Sequence, residues 1–195
     1  MGKFIYQTLV SLDGYISGPN DTLDWHIVTE DLHRVFNAEQ QRFESYVFGR
    51  RTYETMRYWD DPKLLGPDTW GPSREFAAKW VTMPKLVVSR SLAEAGPNAR
   101  IVRENVVAEL RSLKHQAGPD VSIGGGALAA SIRHDGLIDE YDLFVHPVVL
   151  GGGRALFPPA EGRLGLELVE TKTYPQGVVR LRYAARQLGQ FETIR

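Results

Sequence analysis

The chain has 195 residues, with 23 Lys plus Arg against 24 Asp plus Glu and a formal net charge of -1; that balance gives no general attraction to nucleic acid or anionic membrane, though it says nothing about a single cleft. It holds no cysteine, which excludes disulfides, thiolate nucleophiles, iron–sulfur ligation and Cys-type zinc sites. Hydrophobic content is 43 %, nothing approaches the roughly 18 consecutive apolar residues of a membrane span, and residues 1–10 lack the features of a secretory signal, so the expectation is a soluble cytoplasmic protein with a single domain over 1–195.

Phe4 to Val10 reads as a strand, and Asp13-Gly14 marks a turn. Ser17 to Asp24 is loop chemistry, with the length and flexibility of a lid; Trp25 packs under it or stacks on a substrate. Thr29 can cap a helix whose apolar positions are Leu32, Val35, Phe36 and Phe43. Tyr46 to Phe48 is a buried-type strand ended by Gly49, and Arg50 to Met56 starts another helix. Tyr58 to Pro72 is a loop whose Trp59, Asp60, Asp61 and Trp70 either shape a substrate cavity or pack the loop itself. A helix over Ser73 to Trp80, a strand over Pro84 to Ser89 and an edge strand over Arg100 to Arg103 follow. Val106 to His115 is helical, Val121 to Ile123 is a strand, and Ala127 to His134 is the next helix. The chain closes on strands at Tyr141 to Val149, Leu166 to Thr173 and Val178 to Ala184, the last two separated by Pro175-Gln176-Gly177 as an antiparallel hairpin.

Three strand ends carry candidate ligand chemistry. Gly124-Gly125-Gly126-Ala127-Leu128 opens a helix, so backbone amides unobstructed by side chains can approach a phosphate; the bland alternative is a tight turn needing positive φ. Gly49-Arg50-Arg51-Thr52 places two guanidinium groups and a hydroxyl in a first helical turn, where they bind an anion or simply cover the surface. Ser89-Arg90 follows a strand in the same way, with Ser89 as a turn brace and Arg90 as a solvated side chain on the competing account. Open α/β sheets bind ligands beyond the carboxyl ends of their strands. Three arginines exceed what a glycine-held pyrophosphate needs and suit an added 2′-phosphate, hence NADPH.

The catalytic candidates are Asp13, Asp31 and Tyr15; Asp13 either braces its turn or orders the edge of a cleft. His26, His33, His115, His134 and His146 show no compact metal spacing, and His146 before Pro147 reads as structural or interfacial. No metal is expected, and Gly-x-Ser-x-Gly is absent.

These segments together resemble the dihydrofolate reductase-like superfamily, and most of all the C-terminal reductase domain of bifunctional riboflavin-biosynthesis deaminase/reductases. The resemblance rests on Ser11-Leu12-Asp13-Gly14-Tyr15-Ile16, Gly49-Arg50-Arg51-Thr52-Tyr53-Glu54, Gly124 to Leu128, Gly136 to Tyr141, and His146-Pro147-Val148-Val149-Leu150-Gly151-Gly152-Gly153 with Leu156-Phe157-Pro158. It implies an α/β three-layer fold, a central mixed, mostly parallel eight-stranded sheet flanked by helices with an antiparallel C-terminal edge, and NADPH across the strand ends. By similarity Arg50, Thr52, Ser89 and Arg90 would serve the 2′-phosphate, and Gly125, Gly126 and Ala127 the diphosphate. The implied activity is hydride transfer to a small heterocyclic or carbonyl substrate such as a pterin or a riboflavin-pathway pyrimidine; the alternative is a non-catalytic NADP(H)-binding sensor or interaction module. The superfamily's Pro-Trp after the opening strand is missing, Asp31 and Glu30 compete for the folate-binding carboxylate position, and there is no deaminase half. A homodimer is expected through the closing strands and the apolar Val145 to Leu150 segment.

Overall fold

Runs of β-branched and aromatic residues bounded by Gly, Pro or Asp dictate most of the strands. The computed structural model describes residues 2–116, 118–159 and 163–186; the rest of the 1–195 span lies outside the described residues. The elements in chain order are β1 (Phe4–Ser11), β2 (Tyr15–Ser17), α1 (Glu30–Gln40), β3 (Phe43–Gly49), α2 (Arg50–Met56), α3 (Gly71–Thr82), β4 (Lys85–Val88), β5 (Ala99–Val102), α4 (Val106–Gln116), β6 (Asp120–Gly124), α5 (Gly126–Ile132), β7 (Glu140–His146), β8 (Arg154–Ala155), β9 (Gly165–Thr173) and β10 (Val179–Arg186). Eight strands belong to a mixed, mostly parallel sheet flanked by helices, and β2 pairs separately with β8. The chain divides into two compact units, residues 28–125 with 1–3, and residues 4–27 with 126–195.

In the first unit β5, β4, β3 and β6 lie side by side, all parallel. The register sets Gly49 opposite Val88 and Phe48 opposite Gly124. Three strands therefore reach their carboxyl ends at one edge. Val47, Val87 and Ile123 are fully buried, and the buried Trp80 lies 5.7 Å from both the Tyr46 and Phe48 rings. Lys85 Nζ donates to the Trp80 and Met83 carbonyls, closing the end of α3.

The sequence misplaces some boundaries here. Phe43 continues the helical spacing of α1, yet the chain turns at Gln41 and Arg42 and Phe43 opens β3. Thr29 sits at the N-cap, but its buried hydroxyl makes no capping bond. The 58–72 loop contains two short 3-10 turns, Arg57–Asp60 and Pro62–Leu65. α3 begins at Gly71 because Pro72 fits a first helical turn.

In the second unit β1 and β7 run parallel, β10 runs antiparallel to β7, and β9 runs antiparallel to β10. The expected hairpin is thus the antiparallel C-terminal edge, its turn closed by Tyr174 N–H donating to Val178 O, with Gly177 at φ +80°. β7 stops at His146 and not at Val149. Pro147 has no N–H for the ladder, and Val148 N–H turns back to the His146 carbonyl. α5 starts at Gly126, one residue before the expected Ala127, and passes into a 3-10 turn at Arg133–Asp135. Among the described residues no helix is long and apolar enough to cross a membrane.

Candidate functional site

The sheet edge of the first unit gathers three of the sequence-predicted segments. β3 ends at Gly49 and passes directly into Arg50, β4 ends beside Ser89, and β6 ends at Gly124. The backbone after β6 presses against the β3–α2 turn. A Cβ on Gly124 would collide with the Phe48 ring. Gly125, at φ +106°, would place one 2.8 Å from Thr52 Oγ1 and 3.6 Å from the Gly49 nitrogen. Only glycine fits this approach and this backbone conformation.

The cationic groups stand at the same edge. Arg50 donates to both Glu54 carboxylate oxygens at 3.1 and 2.9 Å, an exposed i,i+4 pair of the kind that is weakly held and readily exchanged for an anion. Arg51 and Arg90 are exposed, and Thr52 is half-buried. The loop bearing Arg90 is fastened at several points. The Ser89 hydroxyl accepts the N–H groups of Ser91 and Leu92, and Arg103 donates to the Arg90 and Ala93 carbonyls. The Tyr53 hydroxyl of α2 accepts the Gly96 N–H at 2.7 Å. Ser89 is therefore the turn brace that one reading of the sequence anticipated, and it still carries a hydroxyl proton to donate.

Gly126, Ala127 and Leu128 belong to the second unit, where they open α5. A Cβ on Gly126 would meet Ile16 Cδ1 at 2.7 Å and the Tyr6 hydroxyl at 3.5 Å; Ala127 is exposed, and Leu128 buries its side chain.

The structure joins Asp13 and Tyr15 through Ser11. The Ser11 hydroxyl donates to Asp13 at 2.6 Å and accepts the Tyr15 N–H at 2.9 Å. Asp13 also accepts the Leu150 and Gly151 N–H groups. The Ser11 hydroxyl, with these two amides, holds its carboxyl below the ordinary value. Asp13 is thus committed as a brace between two loops. Asp31 belongs to the first unit and is exposed in the first turn of α1.

The loop read as a lid is tied within the second unit. Tyr15 and Ser17 pair with Ala155 and Arg154, Arg154 forms an ion pair with Asp21, and Gly18 N–H donates to Thr22 O. Beyond it, Trp25 lies edge-on to His26 and to His146. His146 accepts the Ile27 N–H at Nδ1. Burial, then the neighbouring His146, pushes His26 down to about 4 against the opposing pull of Asp24; burial lowers His146 as well. In the first unit Trp59 and Trp70 pack edge-on against the buried His33, Asp60 accepts the Trp80 indole N–H, and Asp61 accepts the Lys63 N–H. Among the described residues no three His, Cys, Asp or Glu side chains are grouped to hold a metal ion.

Two features escaped the sequence reading. Tyr53 as an anchor for a distant loop had no sequence signal. The Asp13 bridge had one, since Gly151-Gly152-Gly153 leaves backbone amides unobstructed, but nothing local says which carboxylate meets them.

Residues 3–180 match the family described as the RibD C-terminal domain. An uncharacterised Bacillus subtilis (strain 168) protein, YyaP, is 33 % identical over 182 residues, covering 93 % of this chain and 94 % of its own. A putative riboflavin biosynthesis protein from Shewanella sp. PV-4 superimposes with a TM-score of 0.73 at 22 % identity, over 96 % of this chain and 100 % of that one. Dihydrofolate reductase from Enterococcus faecalis, solved with NADP(H), superimposes with a TM-score of 0.63 at 14 % identity, over 95 % and 98 %. The fold is therefore dihydrofolate reductase-like.

Proposed function

The chain belongs to the RibD C-terminal domain family, and from that premise we propose that it is an NADPH-dependent reductase that delivers hydride to a small heterocyclic or carbonyl substrate, a pterin or a pyrimidine of the riboflavin pathway among them. The observation that carries this reading is the common edge of β3, β4 and β6, where the glycine-cleared turn after β6 adjoins guanidinium and hydroxyl groups. The E. faecalis relative in fold was solved with NADP(H), which supports the same cofactor here.

The residues present fit such a cofactor. Arg50, Arg51 and Arg90, with the hydroxyls of Thr52 and Ser89, supply the donors that a sugar 2′-phosphate needs. The backbone of Gly49, Gly124 and Gly125 would approach the diphosphate. Arg50, held in an exposed ion pair by Glu54, would be able to exchange that carboxylate for a more highly charged phosphate. The bound dinucleotide supplies hydride from its nicotinamide ring; the protein supplies orientation and excludes water. Asp13 acts by holding the Leu150–Gly151 turn, and Tyr15 by its strand pairing. Neither needs to carry the proton, which water can deliver. The family reading also carries a homodimer and a cytoplasmic location.

The test is NADPH oxidation followed at its near-ultraviolet absorbance, with pterins, deaminated pyrimidines, quinones and aldehydes offered in turn. Turnover with at least one class is expected. Tight NADPH binding with no turnover on any class would favour a cofactor-binding sensor, and absence of both binding and turnover overturns the reading.

A further inference from the structure

The loop that joins β4 to β5, residues 89–98, contains no helix or strand, and after Ser89 none of its residues is buried. Such a segment has little apolar packing to keep it in one shape. Three side chains tie its backbone instead. The Ser89 hydroxyl accepts the Ser91 N–H at 3.2 Å and the Leu92 N–H at 2.9 Å. Arg103, one residue past β5, spreads its guanidinium over two carbonyls and donates to Arg90 O and Ala93 O at 3.2 Å each. The parallel register sets Val102 opposite Val88, which brings Arg103 alongside Arg90. The third tie reaches across to α2. Tyr53, only 1 % exposed, accepts the Gly96 N–H at its hydroxyl at 2.7 Å. A Cβ on Gly96 would stand 3.3 Å from that oxygen, so a bare α-carbon is what lets the loop come this close.

α2 carries Arg50, Arg51 and Thr52, and the loop carries Ser89 and Arg90. The Tyr53–Gly96 bond therefore sets the distance between the two groups of donors. Arg90 is pinned at its main chain, while its guanidinium has no partner among the described residues. We infer that Tyr53 and Arg103 are positioning residues: they hold the Arg90 loop in register with α2 and thereby set the preference for a dinucleotide bearing a 2′-phosphate. The inference rests on the NADPH reading of this edge. Neither residue needs to touch the ligand. A guanidinium presented from a pinned backbone loses less freedom on binding than one on a loose loop, so more of its attraction appears as affinity. Arg103 also directs its donors to neutral carbonyls, so its positive charge stays uncancelled beside Arg90. NADH lacks the extra phosphate and gains nothing from either effect.

The test titrates the full chain with NADPH and with NADH, for the parent, Tyr53→Phe, Arg103→Lys and Arg103→Met. Tyr53→Phe removes one oxygen, and Arg103→Lys keeps the charge but not the fork that spans two carbonyls. Each should weaken NADPH binding about three- to tenfold, as one lost hydrogen-bonded tie requires, and leave NADH binding unchanged. Arg103→Met loses the charge as well and should weaken NADPH binding more than Arg103→Lys does. In the ligand-free protein the Gly96 amide should exchange faster in Tyr53→Phe. Arg90→Gln should cost less NADPH affinity in the Tyr53→Phe background than in the parent, because the loop is already loose there. Equal weakening of NADPH and NADH by the variants overturns the inference, since the two residues then serve the fold alone. So does a parent preference for NADPH that survives all three substitutions, and in that case the cofactor reading still stands. A parent that binds both dinucleotides equally removes the cofactor reading and this inference with it.

Discussion

Gly125→Ala tests the geometry of the first unit's edge. Gly125 has φ +106°, where an L side chain is strained, and its new Cβ would lie 2.8 Å from Thr52 Oγ1. A non-glycine residue in such a backbone region is destabilised by about 1–3 kcal/mol. For a chain of this size that corresponds to a fall of roughly 2–12 °C in Tm, at about 2–4 °C per kcal/mol. The contact with Thr52 adds a part that can be isolated. Thr52→Ala removes the hydroxyl, so a double-mutant cycle should return a favourable coupling of about 0.5–1 kcal/mol, while the backbone strain remains. Urea denaturation of the four proteins measures both quantities. NADPH titration of the same set should show weaker binding for Gly125→Ala even where the protein is fully folded, because the turn has moved. A Gly125→Ala protein as stable as the parent, with zero coupling to Thr52, would refute the reasoning.

Other outcomes follow from the buried polar groups. Asp142→Ala removes the carboxylate that the buried Arg180 grips, both side chains being at most 6 % exposed, and should destabilise by about 3–5 kcal/mol in urea titrations, whereas Asp142→Leu combined with Arg180→Met should recover most of that loss. His26 is held near 4 in the folded chain against an ordinary 6.5, so the unfolded chain binds more protons in that window. Stability is then fully present above about pH 6.5 and is lost as pH falls towards 4; His26→Gln should flatten that part of the stability–pH curve, and an unchanged slope would remove His26 as its source. The Tyr141 phenol, pushed up to about 12 by burial, has no hydrogen-bond partner among the described residues, so Tyr141→Phe should leave urea stability unchanged or raise it by up to about 1 kcal/mol.

The strand-to-helix junction at Gly49-Arg50 was legible because a buried run stops at a glycine and charged residues begin at once. The three candidate strand ends were each legible as a buried run that stops abruptly, and the parallel register then brought them to one edge. The end of α1 was not, because Phe43 lies seven residues after Phe36 and prolongs the helical period by coincidence; pairing opposite Asp120 overrides it. The end of β7 was lost because Val148 and Val149 look like strand, while Pro147 breaks the ladder. Asp13 kept two readings open in the sequence, and its bonds to Leu150 and Gly151 across more than a hundred residues tie it to a second loop that neither reading named. The tryptophans of the 58–72 loop suit a ligand by composition, while their edge-on packing against His33 had no signal in the sequence.

The cofactor claim stands or falls on calorimetric titration of the intact protein with NADPH and with NADH, repeated for Arg50→Gln, Arg51→Gln and Arg90→Gln. NADPH should bind the parent roughly ten- to a hundredfold more tightly than NADH, as one charge-assisted contact to the extra phosphate requires, and the variants should erode that preference while leaving NADH affinity unchanged. Equal affinity for the two dinucleotides, or a preference untouched by all three substitutions, would contradict it.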